Sequence, residues 1–244
     1  MRKALAFPLT VVYYMAFFTT LLVFHVMQWV CHYCFGYTAH KRSVDALNAA
    51  LIGCLGLVGT RVRFSNPYNL QKKQPHIIVC NHQSLYDIPP LMWYLRRLHP
   101  KFISKKELGR GIPSISFNLR HGGSLLIDRS KGNEALNAIE NYANALNSSK
   151  HSTVIFPEGT RSGSATPRRF RLGGLVTLLE NMPEAVVLPV SINHSWKLVK
   201  WGGFPIMTGV TMCFTLHKPI HVKEEKANQL AARVEQIIVG GIEN

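Results

Sequence analysis

From Ala4 to His40 the chain contains no Asp, Glu, Lys or Arg and is dense in Leu, Val, Phe, Tyr and Trp. That length exceeds the roughly 20 helical residues needed to cross the hydrocarbon core of a bilayer. The stretch predicts a membrane helix whose surplus length is taken up by tilt, a break or an interfacial continuation. A second apolar stretch, Val44–Gly59, falls just short of spanning length and carries Gly53, Gly56 and Gly59. It predicts an interfacial segment or the return arm of a helical pair. Arg2 and Lys3 precede the first run as the n-region of a signal peptide would, but the run is too long and lacks a clear small-residue cleavage site. Basic pairs at both ends, Arg2–Lys3 and Lys41–Arg42, nearly cancel as topology signals.

Beyond residue 60 the pattern changes to short apolar runs alternating with helical periodicity, which predicts an α/β domain with a largely buried sheet. The expected strands are His76–Cys80, Phe102–Ser104, Ser124–Ile127, Thr153–Phe156, Val186–Ile192 and Thr211–Leu216. Several are continuously apolar, as strands covered on both faces should be. Glu134–Leu146 and Gly174–Leu179 read as helices, and Leu230, Val234, Ile237 and Ile238 form an apolar stripe on a terminal helix. The expected organisation is a membrane-anchoring segment over residues 1–60 and a catalytic α/β domain over 61–244, with a mixed, mostly parallel sheet flanked by helices.

Charge sharpens this picture. Lys and Arg outnumber Asp and Glu by 28 to 13, and residues 61–130 hold twelve basic side chains against three acidic ones. Such a surface favours anionic partners. Nucleic acid is excluded as the expected partner, since there is no zinc-finger spacing, no RNA-binding signature and no basic block interleaved with aromatics. Anionic lipid headgroups, a phosphorylated acceptor or a phosphopantetheine carrier would use the same charge. Cysteines 31, 34, 54, 80 and 213 form neither a disulfide framework nor a metal pattern, so no metal is expected. Cys31 and Cys34 read as membrane-helix residues.

Two segments carry chemistry. Asn81-His82-Gln83-Ser84-Leu85-Tyr86-Asp87 follows an apolar strand and so occupies a strand-to-helix turn, where sites gather in α/β sheets. A neutral imidazole can take a proton from an attacking hydroxyl, and a carboxylate on its other nitrogen fixes its tautomer. His82 and Asp87 supply both groups. On one continuous helix they would point about 140° apart, so pairing requires His82 in the turn and Asp87 in the first helical turn. Ser84 as N-cap and Asp87 at N3 form a capping box that permits this, and helix capping alone is the competing role of Asp87. Neither Ser84 nor Cys80 lies in a nucleophile elbow. The second segment, Phe156-Pro157-Glu158-Gly159-Thr160-Arg161-Ser162, also follows a strand. Gly159 permits close backbone approach, Arg161 offers a planar fork for phosphate, and Thr160 and Ser162 add hydroxyls.

These segments resemble the glycerolipid acyltransferases, the family that includes the 1-acylglycerol-3-phosphate acyltransferases. Asn81–Asp87 is similar to the family's N-H-x-x-x-x-D block, and Gly123-Ser124-Leu125-Leu126-Ile127-Asp128-Arg129 to its G-x-I-F-I-D-R block. Phe156–Ser162 resembles F-P-E-G-T-R-S, and Val187-Leu188-Pro189-Val190 resembles V-P-V. The resemblance implies a general base at His82 partnered by Asp87, with Arg129, Glu158, Gly159, Thr160 and Arg161 forming the acceptor site. Pro189 would shape the cleft wall, unless it is simply an edge-strand proline. It further implies acyl transfer from acyl-CoA or acyl carrier protein to the sn-2 hydroxyl of lysophosphatidate, with no cofactor beyond the acyl donor. The active site would then face the cytoplasm at an inner membrane. Another lysolipid acceptor, such as a lyso-ornithine lipid, is the alternative within this chemistry, and a thioesterase or lipase lies outside it. Two departures stand out: Leu126 replaces an aromatic residue, and Phe170-Arg171-Leu172-Gly173 stands where the family has Phe-Lys-Lys-Gly.

Overall fold

The computed structural model describes residues 2–243. Helix α1 (Arg2–Gly56) is broken at Gly36, whose φ of 78° and ψ of −173° lie outside the helical region. Glycine reaches that conformation without steric penalty. The two arms double back on each other: Leu21 packs with Leu47 and Leu51, and Thr20 Oγ1 lies 3.5 Å from Cys54 Sγ. The helical pair expected from the two apolar stretches is therefore a hairpin.

The α/β part follows in the order β1 (Arg61–Ser65), β2 (His76–Cys80), α2 (Ile88–Tyr94), β3 (Pro100–Lys105), α3 (Ile115–His121), β4 (Leu125–Ile127), α4 (Gly132–Ser149), β5 (Ser152–Ile155), α5 (Gly173–Asn181), β6 (Val186–Asn193), β7 (Thr211–Leu216), β8 (Ile220–His221) and α6 (Ala227–Gly240). The strands form one sheet in the order β1-β7-β6-β2-β5-β3-β4, with β8 pairing β6. The β6–β7 and β6–β8 pairs are antiparallel and the remainder parallel, so the sheet is mixed and mostly parallel, as the sequence pattern predicts.

Period-2 alternation divides the core between the two faces of this sheet. Ile77 and Val79 of β2 join Ile139, Leu175, Leu178 and Val234 from α4, α5 and α6. Ile78 and Cys80 face the other way, toward Leu91 of α2 and toward Tyr13 and Leu55 of α1. One stripe of α1 is thus part of the core of the α/β sheet, which the first 60 residues share. The opposite side of the same helix is bare: Leu5, Met15, Phe18, Leu22 and Val26 are all more than half exposed.

Pro189 is not an edge-strand proline. It lies in β6 between β2 and β7, opposite Val79. Its missing N–H is tolerated because antiparallel pairing of β6 stops at Val187 with β8 and resumes at Val190 with β7, leaving a gap at Pro189 where no ladder donor is required.

Candidate active site

Strands β2, β5 and β6 are neighbours and run parallel, so their C-terminal ends open on one side of the sheet. Three loops meet there: residues 81–84 after β2, 156–163 after β5 and 194–195 after β6. Convergence at the carboxyl ends of parallel strands is the usual position of a site in such sheets.

Asn81 anchors the first loop. Its amide donates to Ile192 O at 2.9 Å and its carbonyl oxygen accepts from Ile192 N at 2.7 Å, clamping the end of β2 to β6. The chain then turns through a 3₁₀ segment, Leu85–Asp87, which carries the expected capping box: Ser84 accepts from Tyr86 N, and Asp87 reaches back to the Ser84 backbone. Pro89 and Pro90 follow at the start of α2, where a helix does not need their absent N–H groups. This places His82 in the turn and Asp87 in the first helical turn.

The two side chains are paired at 2.8 Å, Nδ1 to Oδ2. The same Asp87 oxygen accepts from Gln83 N at 2.8 Å and Ser84 N at 3.0 Å, while Oδ1 accepts a short bond from Ser195 Oγ. Asp87 is completely buried. A buried carboxylate with so many donors is held as an acceptor and has little freedom to turn. With Nδ1 committed, Nε2 of His82 is the nitrogen left for a substrate. The Phe156 ring stacks on the imidazole at 4.1 Å between centroids, closing one face of it.

Glu158 lies beneath the loops, 2% exposed. One oxygen accepts from His82 N at 2.7 Å and the other from Arg168 N at 2.8 Å. Burial raises its pKa, opposed by these two backbone donors and by His82. Ser162 N donates to His82 O at 2.8 Å and Gly163 N to Gln83 O at 3.2 Å, so the second loop is stitched to the first. Glu158 therefore holds the loop architecture on which its neighbours stand.

Those neighbours are cationic. Arg129, just past β4, donates to Gly159 O, and Arg171 packs 3.7 Å from where a Gly159 side chain would begin. Gly159 has φ +73°, which explains its place here. Burial lowers the Arg129 pKa, as does the neighbouring charge of Arg171. Thr160 and Arg161 are exposed at the rim, and Arg161 forms no ion pair among the described residues. Two arginine side chains thus pack on one glycine turn, and the exposed Arg161 follows it two residues on, a natural cradle for an anion.

The candidate site residues His82, Asp87, Arg129, Glu158, Gly159, Thr160 and Arg161 all fall in this region. Sequence reasoning missed Ser195, Asn81 as a strand clamp, Phe156 as a stacking partner, and Arg171. Arg171 was visible as a departure from the family pattern; Ser195 carried no local signal. Cys80, an alternative nucleophile, is fully buried with its thiol pKa pushed up by burial and by nearby Asp87. No metal-binding cluster occurs among the described residues.

The Acyltransferase family model matches residues 61–193. The 1-acyl-sn-glycerol-3-phosphate acyltransferase of Saccharomyces cerevisiae is 27% identical over 224 residues, covering 88% of this chain and 66% of that protein. The alpha form of the same enzyme from Ovis aries is 29% identical over 133 residues, 54% of this chain and 45% of that protein. The Cocos nucifera enzyme is 31% identical over 125 residues, 50% and 39% respectively. The matches thus span from about two fifths to two thirds of the length of these curated relatives. The 1-acyl-sn-glycerophosphate (LPA) acyltransferase PlsC of Thermotoga maritima has the same fold, with a TM-score of 0.79 at 23% identity over 99% of this chain and 96% of that one.

Proposed function

The chain belongs to the Acyltransferase family, and on that premise we propose that it moves a fatty acyl group from acyl-CoA or acyl carrier protein to the sn-2 hydroxyl of lysophosphatidate, giving phosphatidate. The observation that carries the reading is the His82–Asp87 pair at 2.8 Å, set beside arginines gathered at one glycine turn. His82 Nε2 takes the proton of the acceptor hydroxyl as its oxygen attacks the thioester carbonyl. The tetrahedral intermediate then expels the thiolate, which takes that proton from the imidazolium and leaves as free thiol. Asp87 stabilises the imidazolium and keeps the ring in register. Arg129, Arg161 and Arg171 hold the acceptor phosphate, and fixing both substrates supplies much of the rate advantage. No enzyme-bound acyl group is needed, in keeping with the buried Cys80 and with Ser84, whose hydroxyl is engaged as a helix cap.

The bare apolar side of α1 rests in the bilayer and places the site where lysolipid resides, on the cytoplasmic side where both thioester carriers are made. Residues 1–60 are thus anchor and core layer at once, and residues 61–244 carry the chemistry. The test is mass spectrometry of products after incubating purified protein with a panel of lysolipids and each carrier. Phosphatidate from lysophosphatidate is the expected product; acylation of a different lysolipid alone would move the assignment to that acceptor. Release of free fatty acid without transfer would replace it with a hydrolase.

A further inference from the structure

The segment after Ser195 has no part in this chemistry. It reads Trp196-Lys197-Leu198-Val199-Lys200-Trp201-Gly202-Gly203-Phe204, and no Asp or Glu occurs between Glu184 and Glu224. The ammonium groups of Lys197 and Lys200 lie 6.0 and 5.9 Å from the centre of the Trp196 ring. Lys3, at the start of α1, lies 5.7 Å from that of Trp201. Phe204 sits 5.7 Å from Phe7 and 6.3 Å from Tyr14, centroid to centroid, yet is 52% exposed. The segment is fastened to α1 as well: Tyr14 Oη donates to Gly203 O at 2.8 Å, and Ile206 N donates to Thr10 Oγ1 at 2.9 Å.

Phe204 extends the bare apolar side of α1, forming an open groove with Val11, Met15, Phe18 and Leu22. Beside this apolar surface stand Trp201 and Lys3, with Lys200 next to Trp201 in the chain and Lys197 one turn before it, whereas the Trp196 Nε1 is buried in the protein. Tryptophan favours the level of lipid headgroups, and lysine near an anionic leaflet gains about fivefold in partition for each charge. Apolar continuity with α1 and uncompensated positive charge point to the same occupant.

We propose that Lys197–Phe204 is a second membrane-contact element, with Phe204 in the apolar layer beside α1, Trp201 at headgroup level, and Lys3, Lys197 and Lys200 on anionic headgroups. This rests on the reading that the bare side of α1 lies in the bilayer. Its consequence is positional. The element starts two residues after Ser195, whose hydroxyl bonds to Asp87, so the depth at which the segment docks also sets the height of the dyad above the lipid.

The experiment uses the full chain with Trp29→Phe, Trp93→Phe and Trp196→Phe, leaving Trp201 as the sole tryptophan, and vesicles of brominated phosphatidylcholine with or without phosphatidylglycerol. Binding is followed by co-sedimentation and contact by fluorescence quenching. Quenching of Trp201, stronger when phosphatidylglycerol is present, is the expected result. Co-sedimentation without quenching overturns the proposal while leaving the role of α1 intact; no co-sedimentation at all overturns both. Should the triple substitution disturb folding, Lys197→Gln with Lys200→Gln in the otherwise native chain gives an independent answer. That variant should lose more than tenfold in partition onto anionic vesicles at low salt, with activity on micellar substrate unchanged. Unaltered partition would count against the proposal.

Discussion

At the scale of single residues, the proposed mechanism separates groups that would touch substrate from groups that would hold those in place. His82→Ala should lower turnover by roughly 10²–10⁴-fold, the usual worth of a general base. Thermal unfolding and vesicle binding should stay near wild type, because the ring lies at the site and not in a core layer. A variant keeping more than half of the wild-type turnover would reject the mechanism. Glu158 belongs to the second group. Glu158→Gln keeps the shape but replaces one acceptor oxygen by a donor NH2, so one of His82 N and Arg168 N loses its acceptor. The loop carrying His82 should shift, and displacement on the order of 1 Å costs about 10² in rate. The expected signature is a fall in kcat with KM for both substrates little changed; a purely structural role would appear as a lower unfolding temperature at unchanged kcat. Arg161→Lys addresses the acceptor directly. An ammonium keeps the charge but not the bidentate fork, so KM for lysophosphatidate should rise while KM for the acyl donor does not. Separate variation of the two substrates would reveal this, and unchanged lysophosphatidate kinetics would remove Arg161 from the phosphate site.

At the scale of elements, the hydrophobic pattern read six of the eight strands to within a few residues of where they lie. It missed β1 and β8, and both omissions have a cause. β1 alternates Arg61, Val62, Arg63, Phe64 and Ser65 with an exposed-intermediate rhythm; at a sheet edge this charge alternation is indistinguishable from a surface basic patch until β7 is seen beside it. β8 has two residues, too few for any periodicity. The helix expected after the His82 turn is α2, whose first turn holds Pro89 and Pro90, where their missing N–H groups are not needed. The capping box was legible because its members are within four residues of each other. Ser195 was not, because it meets Asp87 from 108 positions away, a distance only the β2–β6 pairing closes. Strand β3 holds a further feature no pattern exposes. Lys101 is buried, donating to Tyr37 Oη and Gly122 O. Burial, with the nearby charge of Lys41, lowers its pKa to about 8 from 10.5. A lysine whose folded pKa is depressed favours the folded state more as pH rises between those two values, and that contribution is lost as pH falls through 8. Lys101→Met should therefore be the more stable protein at pH 7, by about 1–3 kcal/mol, and its advantage should shrink toward pH 10. Denaturant unfolding of both proteins at several pH values measures this; a difference independent of pH would mean that Lys101 stays charged throughout.

At the scale of the whole molecule, the hairpin of α1 changes what its removal should do. An apolar tether could be cut away to leave a peripheral domain held only by charge. Here Tyr13 is 1% exposed and packs with Tyr86, next to Asp87, and Leu21 is buried between the arms. Burial of each such side chain contributes about 1.5–3 kcal/mol, against a total stability on the order of 5–15 kcal/mol. Loss of residues 1–40 should consequently give aggregated or unfolded protein, not a soluble acyltransferase. The membrane role is separable only by changing the bare side. Leu5, Met15, Leu22 and Val26 are between 58% and 67% exposed, so converting all four to Ser leaves the core untouched and costs mainly some helix propensity. That variant should keep its unfolding transition and its activity on micellar lysophosphatidate, yet be released from membranes by alkaline extraction that leaves the wild type bound. If it unfolded like the truncated chain, these positions would be packing residues. If it folded normally and resisted extraction as firmly as wild type, the contact with the bilayer would lie elsewhere on the molecule.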